Sequence, residues 1–206
     1  GLLVSNHSYS YLLGWEWNYY GDNRWVWFGD SRISTDEDYL FGFYDDFAQS
    51  VDELACAAPY YLMVFSAGND RKDLGPVEES THWYFDWDAI PPKRQESEIR
   101  RHYDGLYDCI SNGGAIAKNS LTVGAVEGLE QGYSSPDDVL MSWFSAWGPA
   151  DDGRIKPDIV AKGVSTYSCD SGNDSDYTTL SGTSMSAPSA AGALGLRCAC
   201  LRPMQA

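Results

Sequence analysis

The stretch from Leu180 to Gly195, which reads LSGTSMSAPSAAGALG, limits the possible folds of this chain more than any other segment. Small polar residues around Gly182 give way to a run of small apolar residues, which predicts a tight turn followed by a closely packed helix. Pro188 would lie about one turn into that helix, where its missing backbone N–H is tolerated. Ser184 would lie at the helix N-terminus, where free N–H groups and the helix dipole stabilise a developing negative charge.

Two interpretations of Ser184 follow from this pattern. It is either a capping serine at the start of a small-residue helix or a nucleophile whose attack creates an oxyanion at the helix N-terminus. The α/β-hydrolase elbow, Gly-x-Ser-x-Gly, fits poorly because Ser186 stands where that motif requires glycine. The heptapeptide GTSMSAP (182–188) resembles the nucleophile motif of the subtilisin-like serine proteases, the subtilases. This resemblance implies that Ser184 is the catalytic nucleophile.

A second motif, SAGN (66–69), closes a predicted strand at the end where the sites of open α/β sheets assemble. The side-chain NH₂ of Asn69 could donate to an oxyanion, although asparagine is also common in ordinary turns. Together with GTSMSAP, this motif matches the subtilase pattern in residue type and chain order. The resemblance therefore implies an oxyanion hole formed by Asn69 and the backbone N–H of Ser184.

Other segments are also similar to the family. The segment VSNHSYS (4–10) resembles the strand that borders the substrate cleft, with Ser10 in place of the glycine of the family's Ser-x-Gly, so a side chain would narrow the cleft. The resemblance covers most of residues 2–196, including 121–126, 144–149 and 156–161, and is weakest over 11–38 and 71–108. The substrate-binding residues that it implies are Ser8, Tyr9, Ser10, Ser66, Ala67 and Gly68.

The apolar pattern predicts a parallel sheet. Buried strands are predicted at 2–8, 60–65, 120–126 and 154–161, and a helix capped near Ser34 is predicted over 39–57, with an apolar stripe at Phe43, Phe47, Val51 and Leu54. Strand, helix, strand implies a right-handed crossover. The expected fold class is α/β, with three layers and a mostly parallel sheet, subtilisin-like but incomplete at the N-terminal side.

The expected domain organisation is a partial subtilisin-like peptidase domain over 1–197 and an atypical tail over 198–206, in which helical patterning is absent from Arg197 onward. Within the domain, alternating tryptophans around Gly21 predict an aromatic hairpin insertion over 11–33. This hairpin either covers the body of the domain or offers an aromatic platform for carbohydrate or peptide. The charged residues 71–109 predict a surface excursion with a short helix near 95–102.

The histidines do not fit the family pattern. The family places a catalytic Asp in Asp-x-Gly and a catalytic His in His-Gly-Thr-His ahead of the segments found here. The chain has three histidines, His7, His82 and His102, and none has that context. Strand alternation predicts that His7 points away from Ser8 and into the core, and His82 and His102 are expected to face solvent. The family's first half is therefore expected to be absent.

Composition narrows the function further. The net charge of −16 argues against nucleic-acid binding. No run is long and apolar enough to span a membrane, and no signal peptide is visible. Five cysteines form no zinc motif and cannot all pair, so mostly free thiols are expected. The resemblance implies a secreted protein, with any leader removed or absent from the fragment.

No cofactor is expected for the chemistry, but a structural calcium ion is one interpretation of the acidic loop near residue 170. Its oxygen ligands would be Asp170, Asn173, Asp174 and Asp176. The other interpretation is a solvated acidic loop without a metal ion.

Three functions remain open at this point. The first is the carboxy-terminal portion of a secreted serine endopeptidase that acts on peptides or proteins through an acyl-enzyme on Ser184. The second is a serine hydrolase for esters or lactones. The third is a non-catalytic fragment or binding module. An incomplete sheet would leave strand edges uncovered, so either a homo-oligomer or a missing N-terminal segment is expected.

Overall fold

The computed structural model describes residues 3–76, 80–98 and 109–201. In chain order its strands and helices are β1 (Val4–His7), β2 (Trp15–Trp17), β3 (Trp25–Trp27), α1 (Asp46–Ala57), β4 (Leu62–Ser66), β5 (His82–Asp86), β6 (Lys93–Ser97), β7 (Leu121–Val126), β8 (Ile159–Lys162), β9 (Thr166–Cys169), β10 (Tyr177–Leu180) and α2 (Thr183–Leu201). The central sheet pairs four of these strands in parallel, in the order β1-β4-β7-β8. The predicted parallel sheet is confirmed.

The two faces of the central sheet carry separate apolar clusters, because successive residues of a strand point to opposite faces. Met63 and Phe65 of β4 pack with Val51 of α1 on one face. Val64 of β4 packs with Ala187 of α2 on the other. Helix, sheet and helix therefore form the three layers that the sequence predicts. Both clusters meet at β4, the strand that leads into the SAGN motif.

Helix α1 begins later than predicted, at Asp46 rather than near residue 39. Asp45 is its N-cap, and the Asp45 Oδ1 atom accepts a hydrogen bond of 2.8 Å from the backbone N–H of Ala48. Gly42, with a φ of +71°, lies in the irregular segment before the helix. The predicted apolar stripe is wrong in part. Val51 is buried, but Phe43, Phe47 and Leu54 are at least 38% exposed.

The predicted aromatic hairpin is confirmed, and it belongs to a larger sheet. Strands β2 and β3 are antiparallel, with Trp15 opposite Trp27 and Trp17 opposite Trp25. Strands β5 and β6, from the region expected to be a surface excursion, extend the hairpin to the order β2-β3-β5-β6. Trp15 and Trp27 are fully buried, so the hairpin covers the body of the domain.

Two expectations for the region 71–109 are wrong. Residues 95–97 lie in strand β6 and not in a helix, whereas the rest of the predicted helix, from residue 99 onward, lies outside the described residues. His82 does not face solvent: it is 1% exposed, and its ring packs edge-on at 4.8 Å from the ring of Trp15. The alternation of β5 places this side chain on the same face as the buried tryptophans.

The C-terminal segment also differs from the expectation. Helix α2 continues to Leu201, past Arg197 where helical patterning was expected to stop, and 202–206 lie outside the described residues. The five cysteines are free thiols. In the part of the chain that the structure describes, no helix is long and apolar enough to cross a membrane.

Candidate active site

Ser184 is the second residue of α2, as the turn-then-helix pattern predicts. The turn before it is fixed by a hydrogen bond of 2.8 Å from the N–H of Gly182 to the carbonyl oxygen of Gly163. A Cβ on Gly163 would lie 2.8 Å from the Gly182 oxygen, so this close approach of two backbones requires glycine. Ser184 itself is half-buried, which leaves part of it accessible from outside.

Asn69 is tied directly to the start of α2. Its Oδ1 atom accepts hydrogen bonds from the backbone N–H of Thr183, at 2.9 Å, and from the Thr183 hydroxyl, at 3.0 Å. The N–H of Gly68 donates to that same hydroxyl oxygen at 3.2 Å. These bonds fix which end of the amide is the oxygen, so the NH₂ end of Asn69 stays available as a donor.

Thr183 is the residue that the sequence interpretation missed. It is fully buried and joins the SAGN motif to the helix that carries Ser184. Its position inside the GTSMSAP motif was the one feature of the sequence that could have indicated its importance. The sequence alone gave no indication of which side chain would accept the hydrogen bond from its hydroxyl.

Ser8, which directly follows β1, is hydrogen-bonded to Ser184. Its hydroxyl donates a hydrogen bond of 3.1 Å to the backbone carbonyl oxygen of Ser184. Tyr9 and Ser10 line a different cavity of about 190 Å³ beside Phe47 of α1. The other three residues that the resemblance implies for substrate binding, Ser66, Ala67 and Gly68, are buried. The structure thus brings Ser8, Asn69 and Ser184 together, and places Tyr9 and Ser10 elsewhere.

A cavity of about 330 Å³ opens at Ser184. Met185 and Pro188 of α2 form one wall, and Leu180 and the hydroxyls of the β9–β10 hairpin form the other. Cys169, an exposed free thiol, also lines it. The cavity combines apolar and hydroxyl groups beside the candidate nucleophile.

The two histidines that the structure describes, His7 and His82, have partners away from Ser184. The Nδ1 atom of His82 lies 2.9 Å from the carbonyl oxygen of Ser80. Nε2 of His7 lies 2.7 Å from Ser5 Oγ and its Nδ1 lies 2.7 Å from the hydroxyl of Tyr9. The His7 ring stacks on Phe65 at 4.5 Å, on the α1 face of the sheet, so the prediction that it points away from Ser8 is confirmed. His7 is half-buried rather than inside the core, and burial lowers its pKa. His102 lies outside the described residues.

The sequence profile of the subtilase family (Peptidase_S8) matches residues 4–202, nearly the whole chain. The chain belongs to the subtilase family. It is 54% identical over 56 residues to the C5a peptidase of Streptococcus pyogenes, a match that spans 27% of this chain and 5% of that protein. It is 37% identical over 93 residues to the serine protease AprX of Bacillus subtilis, 39% of this chain and 21% of that protein.

A solved structure has a similar fold. The CspB protease of Clostridium perfringens superposes with a TM-score of 0.52 at 15% identity, covering 84% of this chain and 55% of that one. At that identity the likeness concerns the fold alone. This subtilase chain spans about a twentieth of the C5a peptidase and a fifth of AprX.

Three carboxylates with raised pKa values, Glu16, Asp70 and Asp73, lie near Asn69 and the SAGN motif. Burial, together with the charges of Glu16 and Asp73, raises the pKa of Asp70 to about 7. Burial also raises the pKa of Asp73 to about 7, against the opposing charge of Lys72. Burial likewise raises the pKa of Glu16. Asp70 and Asp73 therefore change charge near neutral pH, and Asp70 directly follows Asn69 in the chain.

The acidic loop lies at the tip of the β9–β10 hairpin. Asn173 Oδ1 accepts hydrogen bonds from the N–H and the hydroxyl of Ser175, and the N–H of Ser171 donates to Asp170 Oδ1. Among the described residues, no three His, Cys, Asp or Glu side chains are grouped to hold one metal ion. The geometry lends calcium no support, and its binding by Asp170, Asn173, Asp174 and Asp176 stays a prediction.

Proposed function

We propose that this subtilase chain supplies the nucleophile, Ser184, and the oxyanion hole for hydrolysis of amide bonds in peptides or proteins. The Ser184 hydroxyl oxygen attacks the carbonyl carbon, and its proton passes to a general base that neither His7 nor His82 supplies in this structure, because both rings are held by other groups. The carbonyl oxygen becomes an oxyanion, which the backbone N–H of Ser184 and the NH₂ of Asn69 stabilise. The amine leaves with a proton to give an acyl-enzyme, and water then attacks that ester to release the acid and free the serine.

The observation that carries this proposal is the anchoring of Asn69 to Thr183. An oxyanion hole works only when its donors are held before the reaction, since reorientation would cost energy in the transition state. The Asn69 oxygen accepts two hydrogen bonds from the residue that precedes Ser184. These two bonds support the proposal because they join the Asn69 amide to the start of the helix that carries Ser184. A capping serine would need no such partner.

Peptide or protein substrates follow from the family, and the relatives with sequence matches are named as a peptidase and a protease. We extend to this chain the secreted location that the family resemblance implies. The cavity at Ser184 offers a place for one side chain of the substrate, between Met185 and the β9–β10 hairpin. An ester hydrolase would use the same serine and the same donors.

The test is covalent labelling of the purified chain with a fluorophosphonate, followed by hydrolysis assays. We expect slow labelling of Ser184, because His7 and His82 are held away from it, and loss of that labelling in Ser184→Ala. Ser189→Ala is the matched control, because Ser189 lies on the same helix and lines the same cavity. Labelling that persists in Ser184→Ala, or that disappears in Ser189→Ala, would contradict the assignment.

Comparison of a peptide ester with the matching peptide amide separates a peptidase from an ester hydrolase. Complete inertness of Ser184 toward both the label and the ester would favour a binding module.

A further inference from the structure

A groove on the aromatic sheet takes no part in the site at Ser184. It has a volume of about 460 Å³. Its walls are formed by Trp17, Trp25 and Pro76 and by the polar residues Asn23, Arg24, Ser80 and Thr81. Trp17 is 51% exposed, unlike the fully buried Trp15 and Trp27 of the same hairpin. Burial of the domain core thus accounts for two of these tryptophans and leaves Trp17 on the surface.

The groove is rigid before any ligand arrives. In the turn between β2 and β3, the N–H of Asn18 donates to the carbonyl oxygen of Arg24 at 2.8 Å, and the N–H of Asn23 donates to Asn18 Oδ1 at 2.7 Å. The ring of Trp25 meets that of Trp17 edge-on at 5.4 Å, which holds the exposed indole upright. A preformed site loses little conformational entropy on binding.

The lining chemistry points to a neutral, polyhydroxylated ligand. Among its six aromatic and polar wall residues, Arg24 alone is charged, and its guanidinium is neutralised by Glu96 at 2.6 Å. An indole face attracts weakly positive C–H groups. Amide, hydroxyl and guanidinium groups around it can hydrogen-bond to several hydroxyls at once. The chain's net charge of −16 repels anionic ligands at long range.

We propose that this groove binds a neutral polysaccharide, with one sugar ring stacked on Trp17 and its hydroxyls bonded by the surrounding polar side chains. Rings with equatorial hydroxyls, such as those of β-linked glucose, present flat C–H faces and fit best. Such binding would hold the protease domain on a glycan surface while leaving the cavity at Ser184 free. A proline-rich peptide would also stack on tryptophan, but it offers few donors for a wall of hydroxyl and amide groups.

The experiment is calorimetric titration of the full chain with cellohexaose. We expect weak, saturable binding that falls at least about tenfold in Trp17→Ala and is largely kept in Trp17→Phe, which preserves a stacking ring. Trp143→Ala is the matched control, because Trp143 is also an exposed tryptophan, at 63% against 51% for Trp17, and lies outside the groove. Ser184→Ala should bind the sugar as the unmodified chain does, so the result is independent of the proposed catalytic role.

Thr81→Val provides a second variant, since it removes a hydroxyl of the groove at nearly constant shape, and its binding should also weaken. Circular dichroism confirms that each variant is folded. The proposal is overturned by absence of saturable binding to cellohexaose. It is equally overturned by equal affinity in Trp17→Ala and the unmodified chain, or by binding of a proline-rich peptide alone.

Discussion

At the residue scale, the two ends of the Asn69 amide have different roles. Its oxygen holds Thr183, and its NH₂ is the proposed oxyanion donor. Asn69→Asp keeps an oxygen for Thr183 and replaces the donor by an acceptor. We expect ester hydrolysis to fall about 10²–10³-fold, and the carboxylate added beside Asp70 to lower the melting temperature only slightly. Steady-state rates and thermal melts of the variant check both parts. A large fall in melting temperature would show a structural role instead.

The carboxylates near Asn69 give a second prediction at this scale. Asp70 binds its proton more tightly in the folded chain, with a pKa of about 7 against 3.8 ordinarily. The folded state therefore holds more protons than the unfolded state between about pH 4 and pH 7, and stability falls as the pH rises through this range. Asp70→Asn removes this loss, so its melting temperature should fall less from about pH 5 to pH 8.

Thermal melts at several pH values measure this difference. Asp174→Asn, which removes an exposed carboxylate of the hairpin loop, is the control and should keep the pH dependence of the unmodified chain. Identical pH profiles for Asp70→Asn and the unmodified chain would show that Asp70 is ionised in the fold at all these pH values.

At the scale of elements, the cap of α1 is the clearest target. Asp45 accepts hydrogen bonds from the N–H of Ala48 and from the side-chain NH₂ of Asn112. Asp45→Ala removes both, and we expect a loss of about 1–2 kcal/mol in unfolding free energy. Asp46→Ala removes an exposed carboxylate from the same turn and should cost only about 0.3 kcal/mol. Urea denaturation of the two variants measures the difference. Equal losses would mean that the cap contributes nothing beyond charge.

The same helix shows why some elements were predictable and others were not. A serine, a threonine and three acids at 34–38 have the composition of a helix start, but Asp38 is buried and accepts hydrogen bonds from Gly14 and Leu40 instead. Tertiary contacts with the hairpin thus override the local signal. The buried strands β4 and β7 were predicted because short apolar runs bounded by turn residues are typical of strands in a parallel sheet. The parallel pairing of β5 with Val26 and Trp27 of β3 could not be predicted, because it joins segments that are more than fifty residues apart in the sequence.

At the scale of the whole molecule, the site was more predictable than its surroundings. Ser184 and Asn69 lie in short motifs whose backbone geometry is demanding, so the sequence there has little freedom. Tyr9 and Ser10 follow the end of β1, and the path of the chain beyond a strand end depends on packing that no local pattern encodes. His82 was misplaced for the same reason, since its burial depends on Trp15 of a distant strand.

The 206-residue chain is expected to be nearly inactive on peptide amides. Ser184 needs a base for its proton, and the leaving amine needs an acid. The rings of His7 and His82 are held by Ser5, Tyr9 and the carbonyl oxygen of Ser80. In a serine protease whose serine, histidine and aspartate act together, loss of the serine or the histidine lowers kcat about 2 × 10⁶-fold. Substrate binding and the oxyanion hole alone still give a rate about 10³–10⁴ times that of the reaction in water.

We therefore expect negligible cleavage of a peptide p-nitroanilide by this chain. The matching p-nitrophenyl ester has a better leaving group, and its slow hydrolysis should be measurable and fall in Ser184→Ala. The Ser189→Ala control should retain ester hydrolysis, because its hydroxyl donates to the carbonyl oxygen of Met185 and takes no part in the attack. Rapid amide cleavage that vanishes in Ser184→Ala would contradict the prediction. That result would mean that the base is either His102 or a histidine that moves to Ser184 when substrate binds. Single alanine variants of the three histidines would identify it.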